Sequence, residues 1–107
     1  MPYYLFQASY NSDSWKAQVK NPQDRSKVIG ALLEAAGGRL ISFFYAFGEY
    51  DIVLIMETPD NATIASVVIA AAAGGAVSDI KTTVLMSAEE GLDAITKAGD
   101  IAYSPPG

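Results

Sequence analysis

The chain has 107 residues, half of them hydrophobic and only 18% charged, with seven Lys and Arg against twelve Asp and Glu for a net charge of −5. The seven cations are scattered and form no basic stripe, and the acidic balance repels phosphate backbones, so a nucleic-acid partner is excluded. Cysteine and histidine are both absent, which removes disulfides, thiolate metal sites, the commonest general base and the commonest transition-metal ligand together.

Tyr3 to Tyr10 reads as the first strand, rich in aromatics and bounded by Pro2 and Asn11. The segment Met1 to Gln7 lacks the basic region and long apolar core of a signal peptide. Asn11-Ser12-Asp13-Ser14 then offers a cap for a short helical segment over residues 15–20. Asn21-Pro22 is expected to start the next helix, with proline at a position where its missing N–H costs nothing. Val28, Ile29, Leu32, Leu33 and Ala36 recur at helical spacing, and Gly37-Gly38 ends the helix. The second strand is predicted over 39–47 and the third over 51–58, reversing at Gly48-Glu49-Tyr50-Asp51. A glycine at Gly48 suits a tight turn that needs positive φ.

Pro59-Asp60-Asn61 opens another helix, whose inward stripe is Ile64, Val67, Val68 and Ala71 and whose many alanines permit close approach to a sheet. The apolar run over 64–77 is shorter than a membrane span and is broken by Ser66, Gly74 and Gly75, so no membrane partner and a soluble cytoplasmic protein are expected. Gly74-Gly75 mirrors Gly37-Gly38 as a stop, and the fourth strand follows over 77–86. Ser87-Ala88-Glu89-Glu90 is a capping box ahead of a last helix carrying Leu92 and Ile95. The tail, residues 101–107, contains Pro105 and Pro106 and is expected to be extended. One domain over 1–100 followed by this tail is the expected organisation.

The order β-α-β, turn, β-α-β, helix with right-handed crossovers gives an α+β, ferredoxin-like fold: one antiparallel sheet with two helices on one face. Its other face poses a problem of solvent. Ile52 to Met56 is apolar throughout, and Ile41, Phe43, Phe44, Tyr45 and Phe47 leave the second strand apolar on both sides. A sheet with one wet face alternates apolar and polar residues. A cover is therefore expected, in part from the last helix and mainly from a second copy laid sheet to sheet.

Asn21-Pro22 with Arg25, Gly37-Gly38, Gly48-Glu49-Tyr50-Asp51, Pro59-Asp60, and Leu85 ahead of the Ser87 capping box together resemble the GYD-domain family. The resemblance spans residues 4–98, and its specificity lies in the order and spacing of the pieces. It implies a small α+β protein related in fold to the dimeric α+β barrels, a homodimer or higher homo-oligomer; no cofactor is expected from the residues present. It implies little about activity.

Six residues are candidates for a ligand site: Tyr10, Trp15, Arg25, Tyr45, Tyr50 and Asp51. Tyr50 and Asp51 are either a hydrogen-bonding pair at a cleft or plain turn chemistry, with Asp51 binding backbone N–H groups and Tyr50 packing on the sheet edge; the turn reading carries more weight. Arg25 sits in the first turn of a helix, where a cation opposes the helix dipole. A partner is expected, either a carboxylate such as Asp51, Glu57 or Asp60 in a structural salt bridge, or an anionic ligand. Tyr10, Trp15 and Tyr45 are amphipathic side chains near strand or loop ends, suited to an apolar pocket between sheet and helices.

Ser9, Ser12 and Ser14 have no histidine to activate them, the carboxylates show no metal-ligand spacing, and both glycine pairs follow helices instead of preceding them. Two functions lead, beside a third reading as a subunit or accessory domain of a larger complex that uses the Pro-rich tail as an arm. One is a non-catalytic homo-oligomer that binds a small apolar or weakly anionic molecule. The other is a cofactor-independent enzyme of isomerase, lyase or monooxygenase type on a hydrophobic or aromatic substrate, with Asp51 or Tyr10 moving a proton and Arg25 holding an anion.

Overall fold

A computed structural model describes residues 1–107. In chain order the elements are β1 (Tyr3–Tyr10), α1 (Ser12–Lys20), α2 (Arg25–Ala35), β2 (Arg39–Tyr45), β3 (Ile52–Glu57), α3 (Asn61–Ala73), β4 (Val77–Leu85) and α4 (Ala88–Ala98). The four strands form one antiparallel sheet in the order β2-β3-β1-β4. This is the ferredoxin-like arrangement expected from the order of elements.

Strand alternation divides the sheet into two faces. Tyr4, Phe6 and Ala8 of β1 lie in register with Met56, Leu54 and Ile52 of β3. All six are buried beneath the helices, joined by Leu33 of α2 and Ile64 of α3. The Tyr4 hydroxyl donates to Asn61 Oδ1 at 2.7 Å, so this buried phenol is satisfied. On the opposite face Leu5 pairs with Ile55 and Gln7 with Val53, while Phe44 of β2 stands beside Val53. Leu5, Val53 and Ile55 are half-buried there, and Phe44 is 64% exposed. Arg39 and Glu57 form an ion pair at the margin of the same face.

Each helix begins at a short polar side chain. Asn11 accepts the Ser14 N–H at 2.9 Å, Asp24 accepts the Ser26 N–H at 3.1 Å and Asp60 accepts the Thr63 N–H at 2.8 Å. Ser87 and Glu90 complete a reciprocal capping box. The start expected at Asn21-Pro22 is corrected. The short first helix runs on to Lys20 and uses Asn21 at its C-terminal end, where the Asn21 N–H donates to Ala17 O at 3.0 Å. Asp24 then starts α2, because it can bind both the backbone and the hydroxyl of Ser26.

The reversal after β2 also differs from expectation. Pairing ends at Tyr45 opposite Ile52, and the Ala46 N–H donates to Asp51 O at 2.8 Å across an open loop. Gly48 is not among the residues with positive φ, and a Cβ there would meet nothing within 4 Å. The loop is long enough to turn without a left-handed residue at Gly48.

The last helix covers neither face. The closest approaches between elements are β1 with β3 and β4, β2 with β3, α2 with β2, and α3 with β4. No residue of α4 is buried. It projects from the end of β4, stretching the molecule to 58 × 35 × 22 Å. The two-residue connection, Met86-Ser87, gives the capping box control over its direction.

Candidate functional site

α2 and α3 cross the sheet far enough apart to leave a cavity of about 290 Å³ between them. Its floor is Phe6, Ile52, Leu54 and Met56 of the sheet; α2 supplies Val28, Ile29 and Leu32, and α3 supplies Val67, Val68, Ala70 and Ala71. The space exists because α3 presents alanines where larger side chains would close it. Among sixteen lining residues, Tyr10 and Arg25 carry the polar side chains.

Both residues also border a second hollow of about 290 Å³, lined by Ser14, Gln18, Asn21 and Gln23. Tyr10 and Arg25 therefore stand on the partition between an apolar cavity and a polar one. Burial pushes the Tyr10 hydroxyl above its ordinary range, nearby Tyr45 adds to the shift, and the Arg25 guanidinium works against it. At neutral pH Tyr10 is a hydrogen-bond donor and not a base. Trp15 meets the Tyr10 ring edge to face, with centroids 5.0 Å apart, and holds its orientation. Tyr45 packs edge to face on Phe43 at 5.3 Å and stays half-exposed near Tyr10.

The carboxylate partner expected for Arg25 is missing. Its three candidates are engaged elsewhere: Glu57 with Arg39, Asp60 with the Thr63 N–H and hydroxyl, and Asp51 with the Tyr10 N–H. The chain's two ion pairs, Arg39–Glu57 and Lys97–Asp93, leave the Arg25 guanidinium facing the cavity mouth without a countercharge.

A family model described as GYD domain matches residues 4–95. The chain belongs to the GYD-domain family. It is also similar to a protein of Thermus thermophilus named glutamine synthetase and cystathionine beta-lyase binding protein. The two are 30% identical over 77 residues, which cover 72% of this chain and 81% of the relative. No solved structure matches the chain.

In this GYD-domain protein the Gly48-Glu49-Tyr50-Asp51 segment does not line the apolar cavity. Asp51 Oδ2 accepts the Tyr10 N–H at 2.9 Å, and the Asp51 N–H donates to Ala8 O at 3.0 Å. These bonds hold the end of β1 just beyond the place where its register with β4 shifts, and so they fix where Tyr10 points. Tyr50 lies apart, beside Asp79, Ile80 and Lys81 of the edge strand β4. Of the six candidates, Tyr10 and Arg25 share the cavity, Trp15 packs on Tyr10, Tyr45 packs on Phe43 near Tyr10, Asp51 positions Tyr10 through the backbone, and Tyr50 is elsewhere.

Asp51→Ala is expected to lower stability by about 1.5 kcal/mol, the scale of a charged hydrogen bond lost from a partly buried donor. Asp51→Asn, which keeps an acceptor oxygen, should recover most of that. Urea unfolding of the two variants measures the difference, and equal losses would rule out the bond to Tyr10 as the cause.

The residues missed by sequence reasoning are Val28, Leu32, Val67, Val68 and Ala71. Their helical stripes were visible, but such a stripe marks the inward face of a helix without showing whether the space it faces is filled.

Proposed function

We propose that this GYD-domain protein is a non-catalytic, self-associating module that takes up a small molecule with an apolar body and one anionic or hydrogen-bonding head. The observation that carries this reading is Arg25, a guanidinium without a carboxylate partner at the mouth of a 290 Å³ apolar cavity. Its planar fork suits a ligand carboxylate, and the Tyr10 hydroxyl adds a second donor. The side-chain oxygens and amides of Ser14, Gln18, Asn21 and Gln23 supply a wet neighbourhood for the head, while Phe6, Leu54 and Val68 receive the body. Catalysis has less support, because Asp51 is committed to the Tyr10 backbone and the Tyr10 hydroxyl is held protonated. Self-association draws support from the apolar outer sheet face, where Leu5, Val53 and Ile55 are half-buried and Phe44 is exposed.

Calorimetric titration with a series of medium-chain and aryl carboxylates, each beside its matching alcohol, tests the ligand class. Arg25→Met should weaken carboxylate binding about tenfold or more and leave the alcohols within about twofold, the difference of one charge-assisted contact. An equal loss for both series would assign Arg25 a structural role.

A second reading has its own support in the Thermus relative, whose name states that it binds two metabolic enzymes. On this reading the exposed apolar surface receives an enzyme, and ligand in the cavity adjusts that contact. Surface plasmon resonance against purified glutamine synthetase and cystathionine beta-lyase tests it, and no association at micromolar concentrations would remove it.

A further inference from the structure

We infer that the ligand is an N-acylated α-amino acid: its apolar side chain fills the cavity between α2 and α3, its carboxylate meets Arg25, and its amide lies in the polar hollow among Gln18, Asn21 and Gln23. The inference rests on the ligand site proposed above and names the class of molecule that fits both of its halves.

The two hollows are halves of one site. Tyr10, Arg25 and Ala76 line both, and each half measures about 290 Å³. A carboxylate alone, held at Arg25, leaves most of the second half to water. A head that uses that half therefore extends beyond its anion.

The composition of the second half selects the extension. Of the eight residues lining it, Arg25 carries the one charge, and no carboxylate is among them. An ammonium next to the ligand carboxylate would face the Arg25 guanidinium with no countercharge in the hollow, so a free amino acid fits poorly. The other polar groups are neutral: a hydroxyl at Ser14 and carboxamides at Gln18, Asn21 and Gln23. Carboxamides donate and accept at once, which is the complement of an amide. Gln18 Nε2 donates to Ser14 Oγ at 3.3 Å, leaving the Gln18 side-chain oxygen and the amides of Asn21 and Gln23 available to a solute. The backbone adds an acceptor. Pro22 has no N–H to give the Gln18 carbonyl, so α1 ends with that oxygen outside the helical ladder.

The order of groups along the site sets their order in the ligand. Tyr10 and Arg25 stand between the apolar lining and the carboxamides, so the anion sits at the partition with the apolar body on one side and the amide on the other. A single carbon that bears a side chain, a carboxylate and an acylated nitrogen meets all three requirements. That carbon is the α-carbon of an N-acyl amino acid.

Three compounds with a benzyl group and a carboxylate in common, differing in one substituent, test this by calorimetric titration: 3-phenylpropanoate, phenylalanine and N-acetylphenylalanine. N-acetylphenylalanine should bind about fivefold tighter than 3-phenylpropanoate, the gain of one net hydrogen bond, and phenylalanine should bind more weakly than either. Equal affinities for N-acetylphenylalanine and 3-phenylpropanoate would leave the hollow to water and overturn the inference, while the Arg25→Met contrast between carboxylates and alcohols would stand on its own. Tightest binding by phenylalanine would overturn it by assigning the head to a zwitterion. If none of the three binds at millimolar concentration, the inference falls, and the ligand reading falls with it only when the medium-chain carboxylates fail as well. Gln18→Leu with Gln23→Leu should cut the preference for N-acetylphenylalanine over 3-phenylpropanoate to about twofold or less. Gln23→Leu alone lies in the exposed connection between α1 and α2, outside both helices, and should cut it part of the way. An undiminished preference in both variants would overturn the placement of the amide.

Discussion

Gly38→Ala is expected to destabilise the fold by roughly 3 kcal/mol and to lower Tm by about 10–20 °C. A Cβ at Gly38 would lie 2.3 Å from the Glu57 carbonyl oxygen, 3.1 Å from Thr58 Cγ2 and 3.2 Å from Thr58 Cα. All three atoms belong to residues that are buried, and two of the three are backbone. Neither side has room to retreat. The Gly38 N–H is fixed to Leu33 O at 2.8 Å, and Leu33 is fully buried in the core. On the other side, Glu57 closes the register of β3 with both β1 and β2.

Two other glycines provide the controls. Gly30 lies inside α2 with nothing within 4 Å of an added Cβ, so Gly30→Ala should stabilise by up to about 1 kcal/mol through helix propensity. Gly48→Ala should stay within about 0.5 kcal/mol of the unaltered protein, since its loop is open and its φ is not positive. Chemical unfolding of the three variants measures this. A Gly38→Ala protein as stable as its parent would mean that Gly38 and the Glu57–Thr58 backbone do not approach as closely as described.

What the sequence discloses here is what nearest neighbours decide. The alternation of Tyr4, Phe6 and Ala8 gives β1 its buried face, the Ser87–Glu90 spacing gives a capping box, and the glycine pairs at 37–38 and 74–75 stop helices; each is settled within a few residues. The order of those elements was enough to specify the sheet topology. Features that depend on distant parts of the chain were not legible. Gly48 resembled a tight-turn glycine because the length of its loop is set by where β2 and β3 stop pairing. Arg25 resembled half of a salt bridge because nothing local shows that Glu57, Asp60 and Asp51 are each engaged elsewhere. Leu92 and Ile95 gave α4 an inward-looking stripe, yet an apolar stripe does not state which molecule covers it. The cavity was hidden for the same reason. Periodicity identifies Val28, Leu32, Val68 and Ala71 as facing the sheet, whereas the distance between α2 and α3 comes from the packing of both helices on it.

Ala71→Phe is expected to abolish ligand uptake, weakening it by more than about 100-fold, while leaving the empty protein as stable as before or more so. Ala71 sits half-buried on the cavity wall between Val67 and Val68 on one side and Gly74 on the other. A phenyl ring there would enter the space between α2 and α3, which Leu32 and Leu54 help to line. Filling an apolar void adds burial at about 25 cal/mol per Å², so an increase in stability of about 1 kcal/mol is the natural outcome. The sign of the stability change makes the result decisive. In a closed, well-packed core the same substitution overpacks and costs roughly 1–3 kcal/mol. A rise in Tm together with loss of binding therefore identifies the cavity as real and as the ligand's location. A fall in Tm with binding retained would place the ligand elsewhere, with the polar hollow behind Tyr10 and Arg25 the next place to look. Arg25→Met completes the comparison: it leaves the apolar volume open and removes the charge, so it should weaken only ligands with an anionic head, whereas Ala71→Phe should exclude every ligand regardless of its head.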